Sequence, residues 1–109
     1  MSGFCQHDDS DMFFAKFHNL DEYPIDIIKY DERWNQNLIK SRLDPNDEYS
    51  HEAYFAQNFL FKRSDTKDRL KSSANGVTSE VFEGCRYSAD AGRPILVNIL
   101  GGNKLYIIS

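Results

Sequence analysis

Few residues in this chain have the types needed for acid–base, nucleophilic or metal chemistry, and their spacing argues against most of it. His7-Asp8-Asp9-Ser10-Asp11 gathers metal-ligating types in one run. A calcium loop needs a glycine at its sharp turn, and this run has none. Its terminal position makes residues 1–11 an expected solvated acidic tail. His18 and His51 are isolated, and such histidines read as hydrogen-bonded strand residues rather than general bases. Glu80 and Glu83 are three apart in an extended segment, so they point to opposite faces, which argues against a paired-carboxylate site. An RNase-like site needs His51, Glu80, Arg86 and Arg93 to converge from separate strands, and no spacing demands that. The chain has no nucleophile elbow, phosphate-binding loop or HExxH pattern. It is read as non-catalytic, with no metal and no cofactor; a secreted, effector-like RNase fold is kept as an alternative.

The two cysteines, Cys5 and Cys85, form neither a CxxC pair nor a zinc ladder. The N-terminus has no basic region and no long apolar stretch, so no secretory leader is expected. Two free thiols and an intracellular location, cytoplasmic or nuclear, follow from that. A Cys5–Cys85 disulfide is the alternative; on the chain-entropy model so long a loop contributes about 4–5 kcal/mol.

The net charge of −4 over 109 residues argues against nucleic-acid binding by the whole surface. No apolar run is long enough to span a bilayer as a helix. Residues 62–71, Lys-Arg-Ser-Asp-Thr-Lys-Asp-Arg-Leu-Lys, carry a local charge of +3. They read as a solvated turn or, alternatively, as a small patch for an acidic partner.

The elements that must position these residues are strands. Apolar residues recur in short runs bounded by turn formers. Phe13, Ala15 and Phe17 share one face of a strand over 12–19, and residues 24–31 form the next. Trp34 to Ile39 is a third strand, ending near the Asp44-Pro45-Asn46-Asp47 turn. Residues 47–53 have some helical character, after which Gln57 to Lys62 alternates with Phe59 and Phe61 inward. Residues 69–72 and 77–83 flank the Ala74-Asn75-Gly76 turn. Residues 94–100 and 104–108 flank Gly101-Gly102-Asn103 as an apolar hairpin. Seven to eight short strands predict an all-β sandwich, one domain over 12–109 after the tail. With 15 aromatic residues the chain is too aromatic to be disordered.

The order of segments resembles the β domain of the von Hippel–Lindau tumour suppressor. Phe17-His18-Asn19 matches a Phe-x-Asn that closes the family's first core strand. Asp26 to Asp31 is similar to V-W-L-N-F-D, and Leu43-Asp44-Pro45 to a Leu-Pro-Pro turn. Phe59-Leu60-Phe61-Lys62 resembles Trp-Leu-Phe-Arg, with Thr66, Asp68 and Leu70 at matching spacing. Glu80-Val81-Phe82 resembles Glu-Leu-Phe, and residues 93–99 resemble Gln-Pro-Ile-Phe-Ala-Asn-Ile. The match covers about residues 13–99.

The resemblance implies a recognition sandwich. In the family this domain binds a hydroxylated proline of the hypoxia-inducible factor, and a following helical domain recruits elongin C and a cullin ligase. No elongin or cullin binding is expected from this chain alone, because the match ends before that helical domain. The implied pocket is degenerate: Ala53 stands where the family has Ser, Gln57 where it has His, and Phe59 where it has Trp. Lys40 replaces a pocket Tyr, and Ile27 a second Trp. Loss of the serine hydroxyl predicts weak discrimination between hydroxyproline and proline. The expectation is a protein- or peptide-binding module, with proline-containing peptides among its candidate ligands. Tyr54, Gln57, Phe59, Lys40 and Ala53 are its site residues. The alternative is an assembly subunit that uses the apolar C-terminal hairpin.

Overall fold

In a computed structural model the chain is an all-β sandwich. The structure describes residues 12–30, 36–54, 57–84 and 94–101. The N-terminal run, Trp34, both cysteines, Arg86, Arg93 and residues 104–108 lie outside that set. No α-helix is present among the described residues.

Ten strands run in chain order: β1 (Met12–Asn19), β2 (Ile25–Tyr30), β3 (Gln36–Leu43), β4 (Glu48–Tyr54), β5 (Asn58–Arg63), β6 (Arg69–Leu70), β7 (Ser72–Ala74), β8 (Val77–Ser79), β9 (Val81–Glu83) and β10 (Ile95–Ile99). One sheet has the order β4-β1-β10-β7-β8. The other has β3-β2-β5-β6, with β9 also pairing β5. The count exceeds the expected seven to eight because residues 69–83 split into four strands of two or three residues each. Ser72–Ala74 and Val77–Ser79 belong to one sheet, Arg69–Leu70 and Val81–Glu83 to the other. The chain therefore crosses between layers twice within this segment.

Period-two patterning sets the core. Phe13, Ala15 and Phe17 of β1 are buried, and Phe14 and Lys16 between them are exposed. From the facing sheet come Ile25, Ile27, Phe59 and Phe61, all without exposed surface. The Phe17 ring lies 5.3 Å from Phe59 and 5.6 Å from Phe61, both tilted. Each such side chain contributes about 1.5–3 kcal/mol on burial, and tilted ring pairs favour one packing over its alternatives.

Two turns follow directly from their residues. Asp47 N–H donates to the Asp44 carbonyl at 3.0 Å, with Pro45 and then Asn46 at φ 67° in the central positions. Proline followed by a left-handed Asn is the signature of a type II turn. Asn75 (φ 53°) and Gly76 (φ 83°) both take positive φ between Ala74 and Val77, the pair closing the β7–β8 hairpin. That is the Asn-Gly turn that matches strand twist.

Two expectations are corrected, and a third is met by the structure only in part. Residues 48–54 form no helical turn but β4, paired residue for residue with β1 from Met12↔Tyr54 to His18↔Glu48. Strand pairing and burial of alternate residues override local helical preference here. β3 runs on to Leu43, past the expected end at Ile39. Its polar residues 40–42 are held by β2 across register shifts between Ile25 and Ile27 and between Ile27 and Ile28, and the Arg42 N–H also donates to Asp26 Oδ1 at 3.0 Å. Finally, β10 is a central strand. It pairs β1 in parallel from Ala15↔Ile95 to Asn19↔Ile99, and β7 at Asn98 and Ile99. Ile95, Val97 and Ile99 are core residues. Its apolar face thus lies inside the domain, while residues 104–108, the other half of the expected hairpin, lie outside the described residues.

Buried polar groups tie the loops to this frame. Asn19 has no exposed surface; its Nδ2 donates to the carbonyls of Tyr23 and Leu43, each at 2.9 Å, and its Oδ1 accepts the Asp21 N–H at 2.8 Å. Arg63 Nε and Nη2 donate to the two Asp21 oxygens at 2.8 and 3.0 Å. The Arg63 guanidinium lies 4.7 Å from the Tyr23 ring centre.

Candidate functional site

The two sheets expose one flank where their edge strands lie side by side. Among the described residues β4 pairs only β1, and β3 pairs only β2. No described residue pairs the outer backbone donors and acceptors of either strand, the groups through which another strand can add. β4 is the more regular edge, with seven successive register pairs and no bulge. β3 carries the irregular step and a left-handed residue, Arg42 at φ 54°, features that discourage edge pairing.

Alternation on β4 turns Tyr49, His51 and Ala53 inward, with Ser50 and Glu52 facing solvent. Tyr49 and His51 are half-buried, with nearly parallel rings 6.0 Å apart. Beneath them the His51 ring meets Phe59 edge-on at 6.0 Å. From β3, Lys40 extends its ammonium to 5.8 Å from the Tyr49 ring centre, a cation–π contact. From β2, Lys29 stands opposite Phe59 in the ladder and is close enough for its charge to act on His51. The His51 pKa is lowered, first by burial and then by the Lys29 ammonium, with Glu52 opposing. The imidazole is therefore neutral at pH 7, with one ring nitrogen donating and the other accepting.

The residues expected at a site fall into two groups. Lys40 lines this flank. Phe59 and Ala53 have no exposed surface and form its floor: Phe59 packs on Phe17, Phe82 and His51, and Ala53 sits opposite Phe13. Gln57 is half-buried just before β5, and its carbonyl accepts the Gly84 N–H at 3.1 Å. Tyr54 ends β4 opposite Met12, and its side chain lies outside the described part. Sequence reading missed Tyr49 and Lys29 and treated His51 as an isolated histidine. The same-face spacing of residues 49, 51 and 53 was a usable signal for two of them. Lys29 joins only through the β2–β5 register.

Two other constellations do not assemble. His51 lies on β4, and Glu80 follows β8 at the far edge of the same sheet, about 19 Å away by strand spacing. Glu80 there pairs with Arg69 Nη2 at 3.6 Å. The basic stretch 62–71 is largely neutralised within the fold. Arg63 is paired with Asp21, and Lys67 Nζ lies 3.4 Å from Asp26 Oδ2. Asp26 also accepts the Ser64 hydroxyl at 2.5 Å. Burial raises the Asp26 pKa, but the hydrogen bonds from Ser64, Arg42 and Lys67 outweigh it and leave it below the ordinary carboxylate range. A cavity of about 490 Å³ opens on the opposite flank between the β7–β8 hairpin and β9, lined by Ser72, Thr78, Val81 and Glu83 among others. It gathers no cluster of charged or aromatic groups like that between β3 and β4.

The chain matches no protein-family model and no curated protein, so the reading of this flank rests on its own residues.

Proposed function

We propose that this domain is a non-catalytic binding module that takes an extended peptide along the β3–β4 flank. One observation carries the reading. β4 is a seven-residue edge strand without a bulge, unpaired on its outer side among the described residues, and its inward face places a half-buried Tyr–His pair there, with Lys40 of β3 against the tyrosine. A peptide strand added to β4 gains main-chain hydrogen bonds from the edge and side-chain contacts from every second residue. The resemblance to the von Hippel–Lindau β domain supports the same mode, with Ala53, Gln57 and Phe59 as a degenerate counterpart of the hydroxyproline pocket. Because Ala53 offers no hydroxyl, a prolyl hydroxyl group gains little here.

Titration of isotope-labelled protein with extended proline-containing peptides, read by amide chemical shifts, tests this. Shifts concentrated in residues 48–54 and 36–43 are expected, with hydroxylated and unmodified proline peptides binding alike. Shifts centred on the β7–β8 side overturn the placement, and a strong preference for the hydroxylated peptide overturns the degenerate-pocket reading.

A further inference from the structure

Most cations resolved in the sandwich have an acid partner. Lys16 pairs with Glu48, Arg42 with Asp65, Arg63 with Asp21, Lys67 with Asp26 and Arg69 with Glu80. Four others have none among the described residues: Lys71 is exposed, Lys62 lies on the outer face of β5, and Lys29 and Lys40 lie on the inward face. Both are half-buried, neither has a carboxylate partner among the described residues, and both border the same half-buried ring pair. Around them the inward face presents Ile27 from β2, Tyr49, His51 and Ala53 from β4, and Phe59 from β5, none of them acidic. The nearest acids on β4, Glu48 and Glu52, lie on its outer face, where Glu48 is already paired with Lys16. Two ammonium groups thus sit in partly desolvated surroundings with no counter-charge among the described residues, beside the Tyr49 and His51 rings.

We infer that the flank selects peptides carrying a phosphorylated serine or threonine, whose phosphate lies between Lys29 and Lys40. This rests on the peptide-binding reading above and names its ligand class. A carboxylate neutralises one ammonium. A phosphomonoester carries a charge near −2 at neutral pH and three strong acceptor oxygens, and so matches both lysines. Partial burial raises the worth of that charge match above its value on an open surface. Strand addition at β4 sets the direction of the bound peptide, and period-two alternation turns every second side chain toward the lysines.

The test uses an oriented degenerate peptide library with a fixed central phosphoserine, phosphothreonine, glutamate or serine, measured by fluorescence polarisation at two salt concentrations. Phosphorylated pools are expected to bind about tenfold or more tighter than the serine pool, as for desolvated charge pairs, and also tighter than the glutamate pool. The advantage should shrink at high salt. It should disappear in the Lys29→Gln/Lys40→Gln double variant, whose fold is checked by circular dichroism. It should persist in Lys62→Gln, on the outer face of β5. Equal binding of the phosphorylated and serine pools overturns this inference but leaves peptide binding standing. Equal binding of the glutamate pool, or a phosphate preference that survives the double variant, also overturns it. Binding of no pool at all overturns both this inference and the peptide-binding reading.

Discussion

Removing the Asp21 carboxylate should expose how the two sheets are held at one end. Asp21 follows β1 of one sheet, and Arg63 closes β5 of the other. Two parallel hydrogen bonds, at 2.8 and 3.0 Å, join them, with side-chain exposures of 1% for Asp21 and 11% for Arg63. Asp21→Asn leaves the guanidinium buried without its counter-charge, a loss of about 3–5 kcal/mol. A domain of this size has a total stability of about 5–15 kcal/mol, so the variant should approach the unfolding threshold. With a urea dependence of about 1.5 kcal/mol per molar, the midpoint should fall by about 2 M or more. Arg63→Met should cost a similar amount, because it strands the carboxylate. The double variant Asp21→Asn/Arg63→Met leaves no charge unpaired, so it should lose less than the sum of the singles by about 2 kcal/mol. Urea unfolding followed by far-ultraviolet circular dichroism measures all three, and the single-variant loss should change little between low and high salt because the pair is shielded from solvent. Additive losses, or an Asp21→Asn cost below about 1 kcal/mol, would refute the claim that this pair clamps the sheets.

Three further outcomes are expected. Asn19→Ala deletes three hydrogen bonds to backbone groups of the β1–β2 connection and of Leu43, and should cost about 2–3 kcal/mol in urea unfolding; a change near zero would mean that the loops are held by other contacts. Gly76→Ala meets no atom within 4 Å but must keep a φ of 83°, so a loss of about 1 kcal/mol from backbone strain alone is expected in thermal melts, and no loss would show that the turn relaxes. The folded-state pKa of His51 is lowered, so below the ordinary value near 6.5 the unfolded chain binds the extra proton and the native state does not. Stability should therefore be full above about pH 7 and fall as pH drops through that value; His51→Gln should flatten this part of the profile, and an unchanged slope would contradict the placement of the ring.

The parts of the fold legible in the sequence were those governed by neighbours along the chain. Phe13, Ala15 and Phe17 on one face, Phe59 and Phe61 on another, and the Asp44–Asp47 and Asn75-Gly76 turns all depend on period two or on the φ preferences of single residues. Residues 47–53 were misread because local preference was weighed without the long β1 partner that decides their conformation. Of the site, Lys40, Ala53 and Phe59 were named, yet two of these proved to be floor rather than lining. Which face of β4 meets solvent depends on the opposite sheet.

The sequence by itself determined that this is an all-β domain with an aromatic core and where several of its turns fall, because alternation and turn chemistry act over a few residues. The tertiary structure alone decided that β10 lies between β1 and β7, that Arg63 reaches an aspartate 42 residues away, and that, among the described residues, β3 and β4 form one edge of their respective sheets. Those outcomes depend on how two sheets cover each other's apolar faces, a long-range condition satisfied only when the whole chain has packed. Among the described residues the same condition leaves Lys29 and Lys40 without acid partners while it pairs Lys16, Arg42, Arg63, Lys67 and Arg69, and so sets the charge that this flank presents.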